Sequence, residues 1–167
     1  MIFLTVGTYP LQFDRLVEGV DTAVGDGRIK EEVFAQIGAC NYRPKHIDYA
    51  EMLVKSEFDD YFIKAGSIVG HAGMGTISMA LEEGKPILVM ARMSRHKEHV
   101  NDHQVSTAEM FEKLGHVLVA HAVSELPQKI DELKNFVPTQ REATPQRVAD
   151  RIAEFLNKTF RRKDSLS

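Results

Sequence analysis

Apolar residues along this chain come in short blocks separated by stretches with helical spacing. Ile2–Val6 is a compact apolar run closed by Gly7, which predicts a first strand. Phe13, Leu16, Val17, Val20 and Val24 then recur at helical spacing, and Gly25-Asp26-Gly27 signals a turn. Val33–Ile37 predicts a second strand, closed by Gly38, and the weaker alternation of Ile47–Leu53 a third. A short helix is expected from a Ser56 cap through Lys64, with Phe58, Phe62 and Ala65 inward and Asp59 and Asp60 near its start. Ser67–Val69 predicts a fourth strand, running into the glycine-rich Gly70–Thr76 and a helix over Thr76–Glu83 that Gly84 and Pro86 stop. Pro86–Ala91 reads as a fifth strand. Val105, Ala108, Phe111 and Leu114 form one helical face ended by Gly115, and Val117–Ala120 reads as a sixth strand. Ser124 is expected to cap a helix carrying Leu126, Ile130 and Leu133. After a loop or hinge over 135–144, Thr144-Pro145 opens a last helix with Val148, Ile152, Phe155 and Leu156 on one face.

Strand and helix alternate so regularly that the expected fold is α/β: a mostly parallel sheet with helices on both faces. In such folds ligands sit beyond the carboxyl ends of the strands. Attention therefore falls on Gly7-Thr8 and on the loops after the fourth and fifth strands.

Length and charge narrow the class. The 167 residues suit one core, placed at 1–157, followed by a basic tail over 158–167. A net charge of −3 supplies no overall basic field for nucleic acid, although segment 141–167 by itself carries +3. That basic end is either a solvated helix surface or a face toward anionic lipid or an acidic partner. The single cysteine, Cys40, excludes an internal disulfide framework and fits a reducing compartment. No apolar run is long enough for a membrane span, and the N-terminus reads as a strand rather than a signal peptide. The expected location is the cytoplasm.

Two segments carry candidate chemistry. In Gly70-His71-Ala72-Gly73-Met74-Gly75-Thr76, glycines at a strand-to-helix junction either make a tight turn or let free amides at a helix start approach a phosphate or diphosphate. No lysine follows Gly75, so this is not a P-loop. Ser78 stands where a dinucleotide fingerprint needs its third glycine. The second segment holds Arg92, Arg95, His96, Lys97, His99, Asn101, Asp102, His103 and Gln104. Asp102 and Gln104 are placed to bond sugar hydroxyls, while Asn101 or Asp102 serves equally as a helix cap. Arg92 and Arg95, with Lys97, are candidate charge contacts for an acidic sugar, or equally for a partner or a phosphate. The histidine spacing matches no standard metal site, and no metal is expected. No nucleophile motif is present.

Taken in order, His71–Thr76, Ala80–Pro86 and Asn101–Gln104, with Gly7-Thr8, Phe13–Leu16 and Gln36–Gly38, resemble the C-terminal half of family 28 glycosyltransferases over about residues 1–160. Within that family the pattern is similar to the small split subunit of two-component exopolysaccharide enzymes. It is also similar to the catalytic subunit of the two-part transferase acting on dolichol-linked oligosaccharide. The resemblance implies the Rossmann-like, donor-binding half of a GT-B enzyme. His71, Gly73, Met74, Gly75 and Thr76 would then hold the donor diphosphate, with Gly7 and Thr8 bordering it. Met52, Leu53 and Val54 would lie by the base, and Asn101, Asp102, His103 and Gln104 would contact the sugar. Two positions depart from the pattern: Met79 replaces an acidic residue that binds ribose hydroxyls in many relatives, and Ala91 replaces a proline.

What the resemblance implies chemically is inverting transfer of a hexose-type sugar from a UDP-sugar to a lipid-linked saccharide acceptor, without metal or other cofactor. The base is expected on a membrane-associated partner subunit, His103 being the candidate within this chain, and the location is the inner face of the membrane through that partner. The alternative is a non-catalytic nucleotide-sugar-binding or assembly subunit.

Overall fold

The computed structural model describes residues 1–139. The expected last helix from Thr144 and the tail 158–167 lie outside them. The described residues form a six-stranded sheet in the order β3-β2-β1-β4-β5-β6, every neighbouring pair parallel. Its strands are β1 (Ile2–Thr5), β2 (Val33–Gln36), β3 (Asp48–Ala50), β4 (Ser67–His71), β5 (Ile87–Met90) and β6 (Leu118–Val119). The helices are α1 (Asp14–Gly25), α2 (Lys55–Lys64), α3 (Met74–Glu82), α4 (His103–Lys113) and α5 (Leu126–Leu133). Short 3-10 turns cover Ser94–His96 and Val123–Glu125.

Why the strands read as unbroken apolar runs is visible in the packing. Ile2 and Leu4 of β1, Val69 of β4 and Leu88 and Met90 of β5 turn to one face, where Leu16, Val17 and Val20 of α1 and Leu126, Ile130 and Leu133 of α5 cover them. Phe3, Ile68, Ile87 and Val89 turn to the other face and meet Phe62 of α2, Ile77 and Ala80 of α3, and Ala108 and Phe111 of α4. A strand buried on both faces has no polar side to alternate with.

The edge strand β3 is the exception. Only Asp48–Ala50 of the expected Ile47–Leu53 pairs, and Asp48 and Tyr49 are exposed, the short edge that discourages further strand addition. The segment leading into it is anchored by Asp21 of α1. This buried carboxylate accepts the backbone N–H groups of Lys45, His46 and Ile47 and the hydroxyl of Tyr42 at 2.7 Å. Burial alone would raise its pKa, but these hydrogen bonds outweigh it and hold the carboxyl below the ordinary range.

Several local expectations give way. Helix α2 begins at Lys55, with Val54 in extended conformation at its N-cap, so Ser56 sits inside the first turn and caps nothing. Ser124 lies within the 3-10 turn that precedes α5, and no side chain caps that helix. Met74, not Thr76, opens α3. Leu114, expected on the buried face of α4, is the C-cap residue and is exposed, because the helical period ends before it.

Candidate functional site

The strand order reverses between β1 and β4, so successive connections run to opposite sides of the sheet there and a crevice opens beyond the carboxyl ends of the strands. A cavity of about 440 Å³ lies there. Gly7 and Thr8 after β1, Gln36 at the end of β2, Met52, Leu53, Lys55 and Phe58 around the start of α2, and His71, Gly75, Thr76 and Met79 from β4 and α3 line it.

Three features give this cavity its chemistry. Helix α3 starts at its wall with Gly73 as N-cap and no side-chain cap, and its first helical bond is donated by Ile77 to the Gly73 carbonyl. The amides of Met74, Gly75 and Thr76 therefore precede the helix's own ladder, in the arrangement that favours an anion. His71 closes the floor. Its ring fills the space beside Gly7 and Gly73, and a Cβ on Gly7 would come within 2.6 Å of its Cε1. Gly7 itself has φ +73°, where a side chain is strained. The buried Nδ1 of His71 has no hydrogen-bond partner within the protein. Burial, and next the positive charge of Arg92, push the His71 pKa down to about 4, so its imidazole is neutral near pH 7.

The third feature is an apolar wall formed by Met52, Leu53, Phe58 and Met79, with no carboxylate among the lining residues. Gln36 is buried and accepts the Leu53 N–H through Oε1 at 3.2 Å, tying the end of β2 to the segment before α2. Lys55 pairs with Asp59 at 2.7 Å.

Beside the cavity runs the loop between β5 and α4. Arg92 at its start is fully buried. Its guanidinium donates to the carbonyls of Val6 at 2.8 Å, of Leu11 and Gln12 at 2.9 Å, and of Glu98 at 3.2 Å. This corrects the expectation that Arg92 meets an acidic sugar, because backbone oxygens take its charge inside the protein. Arg95 is exposed and bonds the adjacent His96 ring.

Farther along the loop, Asn101 accepts the backbone N–H of His103 through Oδ1, which also meets His103 Nδ1. Asp102 occupies the N-cap position of α4, yet its Oδ1 accepts the Ser94 N–H at 2.7 Å instead of capping α4. That hydrogen bond keeps the Asp102 carboxyl below its ordinary range. Gln104 is buried, and its Oε1 accepts the Arg92 N–H at 3.2 Å, so this oxygen serves the loop. His103 is exposed and packs edge-on to His99, which stacks on Tyr9 with ring centroids 4.4 Å apart.

The family model described as the glycosyltransferase family 28 C-terminal domain matches residues 1–159. The chain belongs to that family. Curated relatives include the UDP-N-acetylglucosamine transferase subunit ALG13 of Cryptococcus neoformans, 28% identical over 95 residues, which span 57% of this chain and 46% of the relative. The human protein of the same description is 27% identical over 125 residues, spanning 70% of this chain and 10% of the relative. This chain thus matches about half of the fungal relative and a small part of the human one. Similar solved structures include MurG of Acinetobacter baumannii, with TM-score 0.59 and 19% identity over 91% of this chain and 49% of that one. The glycosyltransferase of kitacinnamycin also has TM-score 0.59, at 19% identity over 92% of this chain and 37% of that one. At such identities the likeness establishes the fold.

In this family 28 domain, Gly7, Thr8, Met52, Leu53, His71, Gly75 and Thr76 come together around one cavity. Gly73 packs against the His71 ring just outside its lining, while Met74 and Val54 are exposed at its periphery. Asn101–Gln104, Arg92 and Arg95 are not part of that lining and belong to the neighbouring β5–α4 loop and the start of α4. Lys55 and Phe58 join the cavity without having been expected there; Phe58 reads as a core residue from its helical spacing, and nothing local marks Lys55. Among the described residues, no group of three or more His, Cys, Asp or Glu is arranged to hold a metal, and no helix is long and apolar enough to cross a membrane.

Proposed function

We propose that this chain is the donor-binding subunit of a glycosyltransferase, holding a UDP-sugar in the cavity between β1 and β4. The observation that carries this reading is the convergence of the α3 start, which has no side-chain cap, His71 and Gly7-Thr8 around one cavity with the apolar Met52, Leu53, Phe58 and Met79. The first group suits a diphosphate and the second a flat base. His71 and the amides of Gly73–Thr76 take the diphosphate, Met52–Val54 border the base, and the loop carrying Asn101, Asp102, His103 and Gln104 faces the sugar. In transfer, the α3 amides stabilise the charge that grows on the departing diphosphate.

The ALG13 proteins are described as subunits, which supports a two-component reading. The reaction proposed is inverting transfer of a hexose-type sugar to a lipid-linked saccharide in polysaccharide assembly, such as that of exopolysaccharide. A membrane-associated partner supplies the acceptor site and base, and it holds this chain at the cytoplasmic face. Calorimetric titration with UDP and UDP-sugars tests donor binding: saturable binding is expected, and its absence for every nucleotide overturns the donor reading. Transfer to a lipid-linked acceptor by the purified chain alone would refute the need for a partner. A non-catalytic binding or assembly role is favoured instead if UDP-sugars bind and no transfer occurs with the partner present.

A further inference from the structure

The β1–α1 segment, residues 6–13, and the β5–α4 loop, residues 91–102, are joined by a set of mostly buried or part-buried polar contacts between residues far apart in sequence. Arg92 bonds the Val6, Leu11 and Gln12 carbonyls of one segment and the Glu98 carbonyl of the other. The Glu98 carboxylate is almost fully buried. It accepts a two-pronged contact from Arg15 of α1, Nε to Oε1 and Nη2 to Oε2, both at 2.9 Å, and also the Met93 N–H at 2.9 Å. Arg15 further donates to the Ala91 carbonyl at 2.9 Å, and Gln12 Nε2 to the His96 carbonyl at 3.0 Å. The Tyr9–His99 stack closes the exposed end of the same seam.

Such a set is costly to assemble. Two guanidinium groups and a carboxylate largely leave water, which is offset only where the geometry is held and donors find acceptors; both nitrogens of the Arg92 fork do so, while its buried Nε has no partner within the protein. The planar fork of Arg15 matches both oxygens of Glu98, a contact that lysine cannot reproduce. The first of the two segments carries Gly7-Thr8; the second carries Asn101 and Asp102 and leads directly into His103 and Gln104 at the start of α4.

We infer that Arg15, Glu98 and Arg92 are positioning residues that fix the β5–α4 loop against the diphosphate-side segment, so that discrimination between donor sugars depends on groups that do not touch the donor. This rests on the donor reading above. The unit sets the distance between the residues proposed at the phosphates and those proposed at the sugar, and a displacement of that loop misplaces sugar contacts while leaving the α3 start and His71 in place.

The test uses the full chain and two variants. Glu98→Gln removes the charge that Arg15 and Arg92 face, and Arg15→Lys keeps the charge while losing the fork. The second guards against a first variant that fails to fold. Hydrogen exchange and calorimetric titrations with UDP, UDP-glucose, UDP-galactose, UDP-N-acetylglucosamine and UDP-glucuronate are measured on each. Amides 93–102 are expected to exchange about tenfold faster in a folded variant while those of β1 and β4 keep their rates. UDP affinity is expected to stay within about threefold of the unaltered chain, whereas the preference for the best-bound sugar over the others shrinks at least about fivefold.

Unchanged exchange over 93–102 overturns the brace. Equal losses for UDP and every UDP-sugar overturn the selective role, as does an unaltered chain that binds all four sugars alike. An unaltered chain that binds no nucleotide overturns the donor reading and the sugar-selecting role with it. The exchange result then still decides separately whether the two segments are braced.

Discussion

A Cβ placed on Gly7 would lie 2.6 Å from Cε1 of His71, so the loop after β1 and the end of β4 share a space that only a missing side chain leaves open. Gly7→Ala meets two penalties: a positive φ worth about 1–2 kcal/mol against a side chain, and displacement of the His71 ring. Lower stability and at least about tenfold weaker UDP binding are expected. In the double variant Gly7→Ala/His71→Ala the ring no longer obstructs, so its destabilisation in urea should fall short of the two single losses combined. Strict additivity would show that the two residues do not compete for this space.

Acid should expose the buried state of His71. With its pKa pushed down to about 4, the folded chain refuses a proton that the unfolded chain takes up below about pH 6.5. Above that window both states are neutral at this residue and it contributes no pH dependence. Between pH 6.5 and 4 stability falls as pH drops, by up to about 3 kcal/mol from this group. Urea midpoints measured across pH 7.5 to 4.5 should show a steeper decline for the unaltered chain than for His71→Gln. Parallel declines would contradict the assignment.

Met79 leaves the cavity wall without a carboxylate, and an apolar wall discriminates weakly against a ligand that lacks one hydroxyl. UDP and 2′-deoxy-UDP should therefore bind the unaltered chain within about tenfold of each other. Met79→Glu introduces an acceptor facing the expected ribose, and the preference for UDP should rise about tenfold. A ratio that does not move would place the ribose away from residue 79.

Asp21 is a structural anchor whose loss should be felt without any ligand. Asp21→Asn keeps one acceptor oxygen for the His46 and Ile47 N–H groups but sets an NH2 at the Oδ2 position, against the donating Tyr42 hydroxyl and Lys45 N–H, and removes the charge, at a cost of about 2–4 kcal/mol. A melting temperature lower by about 5–10 °C is expected. Because the folded carboxyl is held below its ordinary value, its contribution is present above about pH 4 and disappears as pH falls through the folded pKa.

Local signals carried most of the sheet and half of the cavity. β1, β4 and β5 announce themselves because burial on both faces makes each an apolar run, and the glycines around His71 mark a strand-to-helix junction directly in the chain. β3 has no such mark: three residues, two of them exposed, produce neither alternation nor an apolar run. Ser56 and Ser124 have the chemistry of caps, but which residue starts a helix depends on how the preceding loop enters it. Arg92 is charged and sits in a polar-looking segment. Its burial follows from carbonyls of residues 6, 11 and 12, about eighty positions away, and no window of sequence contains both sides of that contact. The same separation hides the pairing of Arg15 with Glu98.

The central place of β1 has a consequence for synthesis. Ile2 pairs with Val33 on one side and with Ser67 on the other, so β1 needs a partner made well after it. Until β4 has emerged from the ribosome, a mostly apolar strand waits with one edge unpaired, a condition that slows folding and invites association with other chains. The crevice between β1 and β4 is thus among the later parts to form, built from strands made at quite different times.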